Sequence, residues 1–245
     1  MKQIYILLVT ICAIAFTACS KDDDSSEDGK EGVITLVHRT DYSASSPVRI
    51  QIGAFNKGDI ITIDWGDGNV ENANLETMCD NIFSTYGSGH RYPNSNPYII
   101  TIKGKIRGFW CYTKHITSLD VSGCPALTSL RCYGNNLTSL EVSKNTALTS
   151  LDCEYNTLTS LDVSKNTALT KLSCGNNSLT SLDVSKNTAL TYLRCGNNNL
   201  SASALNKIFN DLPINDGNIY FNDNPGTDTC DKRILDYKRW ECNCR

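Results

Sequence analysis

The sequence is poor in the groups that most catalysis needs. It holds three histidines, His38, His90 and His115, and none stands in the spacing of a catalytic triad or a metal site. No nucleophile, base and acid fall into a grouping that hydrolysis would use, so an enzyme ranks last among the function classes and no cofactor is expected. Ligand sets of the C-x-x-C kind are missing, which argues against zinc. There is no cluster of lysine and arginine, and at a net charge of −3 the chain lacks the basic footprint of a nucleic-acid partner. The apolar run Ile4 to Phe16 is too short to cross a bilayer. With 245 residues and 40% hydrophobic content, there is room for one or two folded domains.

What the sequence has in quantity is repetition. One phrase of 21 residues is written four and a half times between Ile106 and Leu200, most clearly as Leu148-Thr-Ser-Leu151-Asp-Cys153-Glu-Tyr-Asn156-Thr-Leu158-Thr-Ser-Leu161-Asp-Val163-Ser-Lys-Asn166-Thr-Ala168. Cysteine recurs at Cys111, Cys132, Cys153, Cys174 and Cys195, and leucine at Leu130, Leu151, Leu172 and Leu193 and again at Leu119, Leu140, Leu161 and Leu182. In Leu151-Asp-Cys153 apolar and polar positions alternate, the period of a strand with one buried face. Asn156, stacked between Asn135 and Asn177 with Asn198 beyond, carries a carbonyl and an amide able to satisfy backbone groups where the chain turns away. The second half of the phrase, Leu161 to Asn166, predicts another short extended segment on the opposite wall, so the coils should be flat and strand-rich, without backing helices. A single coil buries too few apolar side chains to offset the ordering of its backbone, so stability must come from stacking coils into a solenoid with a continuous parallel sheet. The order L-x-x-L-x-[L/C]-x-x-N-x-L at a fixed period resembles the leucine-rich repeat, internalin-like in phrase, of bacterial surface proteins.

Twelve cysteines would suggest a disulfide framework in a small secreted protein. Five of them, however, occupy the core column of the repeat. In-register parallel neighbours place Cβ atoms near the strand spacing of about 4.8 Å, longer than the ~3.8 Å that suits a disulfide. These five are expected to be reduced and to act as small buried hydrophobes. Cys230, Cys242 and Cys244 lie outside the column, and one disulfide is expected among them with the pairing open.

At the N-terminus, Lys2 followed by the apolar run and Phe16-Thr-Ala-Cys19 has the form of an export signal. Phe-Thr-Ala-Cys resembles the bacterial lipobox, with Phe16 where leucine is usual, and the resemblance implies that Cys19 is the acylated first residue of the mature chain. Ordinary signal cleavage beside an incidental cysteine is the alternative. Residues 19–32 are polar and charged, a disordered tether. The Ser-Lys-Asp-Asp-Asp that follows Cys19 resembles the acidic signal that routes some lipoproteins to the outer face of the outer membrane.

Between residues 33 and 105 the pattern becomes separate strands: Val33 to Val37, Val48 to Ile52, Asp59 to Trp65 and Tyr98 to Lys103, rich in β-branched residues and bounded by turn formers. Ile63-Asp-Trp-Gly-Asp-Gly, followed by His90-Arg-Tyr92 and Tyr98-Ile-Ile-Thr-Ile, resembles a PKD-type β-sandwich. Gly66 and Gly68 suit a tight turn with positive φ, and Trp65 and Tyr92 are expected in the core. Asp64 and Asp67 are read as turn-stabilising carboxylates rather than calcium ligands, so no metal site is expected, and His90 as a structural hydrogen-bonding group rather than a base. Ile106 to Ile116 is a degenerate first coil with Lys114 in the asparagine place, reached with no linker, so the sandwich is expected to cap the solenoid.

Beyond Leu200 the phrase breaks. Leu205, Ile208, Phe209 and Leu212 fall at helical spacing, with Ser201 or Ser203 as N-cap and Pro213 as stop. Ile219 to Asn224 restores the strand and asparagine of the repeat. A second short helix from Asp231 to Lys238 leads to a last strand at Trp240–Cys244, and the helices are expected to cover the open edge. The fold class is therefore mostly β: signal peptide 1–18, tether 19–32, PKD-like β-sandwich cap 33–105, leucine-rich-repeat solenoid with 21-residue coils 106–200, and helix-containing C-terminal repeats and cap 201–245.

Side chains between the buried Leu and Cys positions should point to solvent in columns: Trp110, Arg131, Asp152, Ser173, Arg194, and Tyr112, Tyr133, Glu154, Gly175, Gly196, with Tyr155, Lys171 and Tyr192 beside them. Elsewhere the coils are near-copies, so variation rich in Trp, Tyr and Arg on one face is what a protein-binding surface would show. A solvated face drifting without constraint gives the same pattern. On the outer wall Asp120, Glu141, Asp162 and Asp183 form a column whose mutual repulsion Lys144, Lys165 and Lys186 should offset. What the repeat resemblance implies is a non-enzymatic cell-surface module, monomeric, that recognises or adheres to a protein through the concave face of the repeats. It would touch the membrane only through the Cys19 lipid anchor, on the outer membrane facing the exterior. A carbohydrate-binding accessory lipoprotein with a glycan ligand is the alternative.

Overall fold

The computed structural model describes residues 30–39, 47–56, 58–74, 89–112 and 114–242. The leader, Cys19 and most of the tether lie outside these residues, as does Cys244. The described chain is mostly β with two short helices. No described helix is long and apolar enough to cross a membrane.

Five strands open the fold: β1 (Gly32–His38), β2 (Ile50–Ala54), β3 (Ile60–Asp64), β4 (Val70–Asn74) and β5 (Tyr98–Gly104). Their inward side chains, among them Ile34, Leu36, Ile50, Ile52, Ile61, Ile63, Ile100 and Ile102, are buried. Strand β4 escapes sequence reading because Val-Glu-Asn-Ala-Asn carries no β-branched run. It forms through its antiparallel pairing with β3, from Ile60 opposite Asn74 to Asp64 opposite Val70. The turn between them is held by carboxylates: Asp64 accepts from the Gly66 N–H at 2.9 Å and Asp67 from the Asn69 N–H at 3.0 Å. Gly66 has φ +77°, and a Cβ there would lie 2.2 Å from the Ile99 carbonyl oxygen, so no other residue fits. Trp65 is fully buried, the Tyr92 hydroxyl donates to its carbonyl at 2.7 Å, and His90 stacks on its ring while lying 2.7 Å from Asp67. His90 is thus a strut between the turn and the core.

The first coil supplies β6 (Ile106–Cys111) and β7 (Ile116–Asp120), and these join different sheets. Strand β7 pairs antiparallel with β1 and completes a five-stranded sheet in the order β4-β3-β5-β1-β7. Strand β6 pairs antiparallel with β2 on one side and parallel with β8 (Ser129–Arg131) on the other. From there β9 (Ser150–Asp152), β10 (Lys171–Ser173) and β11 (Tyr192–Arg194) follow in parallel, in register at Leu130, Leu151, Leu172 and Leu193. The solenoid sheet is therefore continuous with strand β2, which belongs to the segment before residue 105.

The cysteine column runs inside this wall. Cys111, Cys132, Cys153, Cys174 and Cys195 are free thiols with no exposed surface. Burial pushes Cys111 and Cys195 up to about 12, which leaves about a thousandfold less thiolate than an ordinary cysteine at the same pH. In the native protein, iodoacetamide should leave all five unlabelled as read by peptide mass spectrometry and modify them only after denaturation, while the half-buried Cys230 reacts first. Labelling of the column at native pH without loss of structure would contradict the burial.

Two asparagine ladders stitch coil to coil. In the one legible from sequence, the Asn156 amide donates to the carbonyls of Cys132 and Cys153 at 3.0 and 3.1 Å, and its oxygen accepts from the Leu137 N–H at 3.0 Å. The second runs along the opposite wall: Asn166, fully buried, donates to the carbonyls of Val142 and Asn145 at 2.9 and 2.8 Å, with Asn145 and Asn187 doing the same in adjacent coils. The expected extended segment at Leu161–Asn166 is corrected here. After β7 this wall is built from successive turns, Asn166 N–H to Val163 O and Leu169 N–H to Asn166 O, with no strand. The reason is that the chain reverses here: the backbone groups bond to one another within the corner, and the buried Asn166 amide binds the turn of the preceding coil, which leaves no strand ladder to form. The acid column is also held differently from the expectation. Asp120, Glu141, Asp162 and Asp183 each accept the N–H of the serine two residues on, at 2.8 to 2.9 Å. That bond leads the lowering of the Glu141 and Asp162 pKa values, and the neighbouring lysines contribute less.

Past Leu200 the wall becomes helical. Helix α1 (Ala202–Asp211) is capped by Ser201, whose hydroxyl accepts from the Ala204 N–H, and buries Leu205, Ile208 and Phe209. Strand β12 (Gly217–Tyr220) continues the parallel sheet beside β11, helix α2 (Arg233–Lys238) follows, and β13 (Trp240–Cys242) ends the eight-stranded sheet. The helices close the wall opposite the sheet, while Glu241 and Cys242 on the last strand remain exposed. Cys230 is a free thiol, and Cys242 is disulfide-bonded.

Candidate functional site on the open sheet face

The parallel register carries Trp110, Arg131, Asp152, Ser173 and Arg194 side by side on successive strands. Two residues extend this row beyond the expected column. Gln51 of β2 pairs with Trp110 at one end and Tyr220 of β12 with Arg194 at the other. Neither was visible to a 21-residue count, because Gln51 comes from an antiparallel strand and Tyr220 lies 26 residues from its neighbour.

At the end next to β2 the face is aromatic and cationic. The Arg131 guanidinium lies 4.4 Å over the Trp110 ring, a pairing worth about 0.5–1 kcal/mol at an exposed site. Tyr112, Tyr133 and Tyr155 stack edge to face, with centroids 6.4 and 5.1 Å apart, and are 40%, 40% and 51% exposed. Burial raises the Tyr112 hydroxyl's pKa while Arg131 opposes the shift. The three rings line a shallow cleft of about 470 Å³ with Lys114 and Asn136. At the far end Arg194 lies 5.3 Å over the Tyr220 ring, and Tyr192 packs 5.6 Å from the same ring. Lys171 is exposed between the two groups. The ten expected face residues are thus brought onto one surface, with one difference in presentation.

That difference is Glu154. Its column position predicts a solvent-facing side chain, yet it is only 7% exposed. The next member of the column is Gly175, and Glu154 folds over the space it leaves. A Cβ on Gly175 would come within 2.9 Å of Glu154 Oε1. The carboxylate meets Arg194 Nη1 at 3.5 Å through Oε2. Burial raises the Glu154 pKa, Arg194 counters it and Asp152 adds to it; burial likewise raises Asp152.

Tyr155 carries a second anomaly. Its backbone is left-handed at φ 54°, and the same corner in other coils is taken by Gly134, Asn176, Asn197 and Asp223, all with positive φ. Glycine, asparagine and aspartate tolerate this conformation and tyrosine does not, at a cost of about 1–2 kcal/mol. Tyr155→Asn should therefore raise stability by about 1 kcal/mol, seen as a higher urea midpoint with an unchanged slope. A lower midpoint would mean that the ring contributes more packing than its backbone costs.

No protein-family model matches the chain, and no curated protein matches it. Among solved structures, the chain is similar to the functional domain of InlJ from Listeria monocytogenes, which includes a cysteine ladder: 37% identity over 48% of this chain and 25% of that one, TM-score 0.41. It is also similar to the internalin InlF from Listeria monocytogenes, at 23% identity over 49% of this chain and 42% of that one, TM-score 0.38. A third is the leucine-rich repeat domain of APL1B, at 24% identity over 42% and 30%, TM-score 0.36. This chain spans less than half the length of each. The coils have the form of a leucine-rich repeat. Their own register says so, with leucine, cysteine and asparagine recurring on in-register parallel strands.

Proposed function

We propose that the chain is a cell-surface interaction module that binds a protein partner through the open face of its eight-stranded sheet. The observation that carries this reading is the face itself: Trp110, Tyr112, Arg131, Tyr133, Tyr155, Tyr192 and Arg194 lie on one surface, while elsewhere the coils repeat almost unchanged. Aromatic rings and guanidinium groups give large contact area at low entropy cost and dominate interface energetics. Asp152, Glu154 and Lys171 add the charges that set register. In this reading the segment before residue 105 is a PKD-like cap, the module is monomeric and non-enzymatic, and Cys19 carries the lipid that holds it on the outer membrane facing outward.

The test is a partner captured from outer-membrane extracts by the fragment from Ser20 onward, identified and then measured in isolation. Replacing Trp110, Arg131 and Tyr133 together with alanine should weaken binding by about a hundredfold or more while leaving the melting temperature close to that of the unaltered protein. Retained affinity would remove the face from consideration. The tyrosine cleft favours a second reading, glycan recognition on Tyr112, Tyr133 and Tyr155, because stacked rings present apolar faces to sugar C–H groups. A glycan array probed with the full chain and with Tyr133→Ala separates the two.

A further inference from the structure

The cavity beside the tyrosine cleft has the makings of a specific pocket. It is an open cavity of about 240 Å³ lined by Glu154, Tyr155, Arg194, Tyr220 and Asp223 together with asparagines. Its floor is the Glu154 carboxylate, more than nine-tenths buried. Only Oε2 is engaged, by the single 3.5 Å approach of Arg194, whose side chain is 45% exposed. Oε1 accepts no hydrogen bond from any described residue and faces the space left by Gly175. This oxygen is not sealed from solvent; it is an acceptor open to the cavity that its side chain lines.

The surroundings select the sign and shape of what would fill it. Glu154 and Asp223 line the cavity and Asp152 lies next to Glu154 along the chain's turn, donating nothing to it and accepting the Glu154 N–H at 3.2 Å. Arg194 is the one cation lining the cavity among the described residues; it meets Glu154 at 3.5 Å and lies over the Tyr220 ring at 5.3 Å. Tyr155 and Tyr220 offer aromatic faces, which attract cations. The backbone at Tyr155 is left-handed where Gly and Asn stand in other coils, so the ring is kept at this corner against its conformational preference. These features are independent of one another and agree on a positively charged, elongated group.

We propose that this cavity is a recognition pocket for a lysine or arginine side chain of the partner protein, with Glu154 as its counter-ion and Tyr155 and Tyr220 as its walls. The proposal rests on the open face being the interaction surface and adds the chemistry of one anchor. The apolar stem of the guest lies along the rings and its head reaches Oε1.

The experiment uses the full chain and three small probes: N-acetyl-argininamide, N-acetyl-lysinamide and the neutral N-acetyl-glutaminamide. Titrations followed by NMR should give saturable shifts at Tyr155 and Tyr220 with the two cationic probes and none with the neutral one. Glu154→Gln keeps the shape of the side chain and should weaken cationic binding by about tenfold or more without changing the circular dichroism spectrum. Equal response to the neutral probe, or equal affinity in the Glu154→Gln protein, overturns the pocket; should that variant be misfolded, the comparison of charged with neutral probe still decides. Failure here is distinguishable from failure of the face. If the probes do not bind but the Trp110, Arg131 and Tyr133 replacement still abolishes partner binding, the pocket falls and the face stands.

Discussion

Asn156→Ala is expected to cost about 3–4 kcal/mol of stability, a large share of what a domain of this kind has. Asn156 is 8% exposed, and its oxygen is the one acceptor of the Leu137 N–H among the described residues, at 3.0 Å. Removing that oxygen leaves a buried donor unpaired, at about 1–3 kcal/mol. The amide also donates to the carbonyls of Cys132, Cys153 and Glu154, but each of these keeps another donor, Asn135, Asn177 and the Gly134 N–H respectively. The acceptor side of the side chain thus matters more than the donor side. The comparison that isolates this is Asn166→Ala. Asn166 makes two donor bonds to carbonyls, and its own oxygen is buried without a partner, so its loss relieves one unsatisfied group while removing two bonds. It should cost clearly less than Asn156→Ala in urea denaturation. Equal losses would show that the ladders act only by filling space.

Acid should unfasten the N-terminal sheet through His38. The ring is fully buried in β1, neither of its nitrogens has a partner among the described residues, and it stacks on Tyr92 at 5.4 Å with His115 edge-on at 5.7 Å. Burial first, and His115 second, lower its pKa from 6.5 to about 4. A folded-state pKa below the unfolded one means that stability is fully present above pH 6.5 and declines as pH falls from there through about 4. The decline is about 1.4 kcal/mol per pH unit, or about 3 kcal/mol across the window. His38→Leu should remove that slope. The difference in unfolding free energy between the two proteins should therefore shift by about 3 kcal/mol between pH 7 and pH 4, while carboxylates common to both cancel. Parallel pH profiles would show that the imidazole finds water or a partner in the folded protein.

Much of this architecture could be read from the order of residues. The buried columns of Leu130 and Cys132 and their successors, the Asn156 ladder, the Ser201 cap and the positive-φ glycines of the Trp65 turn all follow from short-range rules or from a period. Other features resisted. Strand β4 has weak intrinsic preference and forms because β3 offers it a ladder. The wall at Val163 and Asn166 alternates like a strand, yet the chain must turn a corner there, and corners are closed by hydrogen bonds that spacing does not reveal. Glu154 stands where its column predicts exposure. Whether it lies in or out depends on Gly175, which follows it in the stack, and on Arg194 two coils away.

In a solenoid of near-copies each residue's chief neighbours are its own counterparts one period away, so recurrence in the sequence is already a statement about contact. That is why the order of residues alone determined the coil, its core and the surface left free. Where the neighbour is not a copy, as for β2 beside β6, Tyr220 beside Arg194 or the open oxygen of Glu154, contact is settled by which unlike segments pack together. Only the tertiary structure decided those, because side-chain direction and burial there depend on long-range packing rather than on any period.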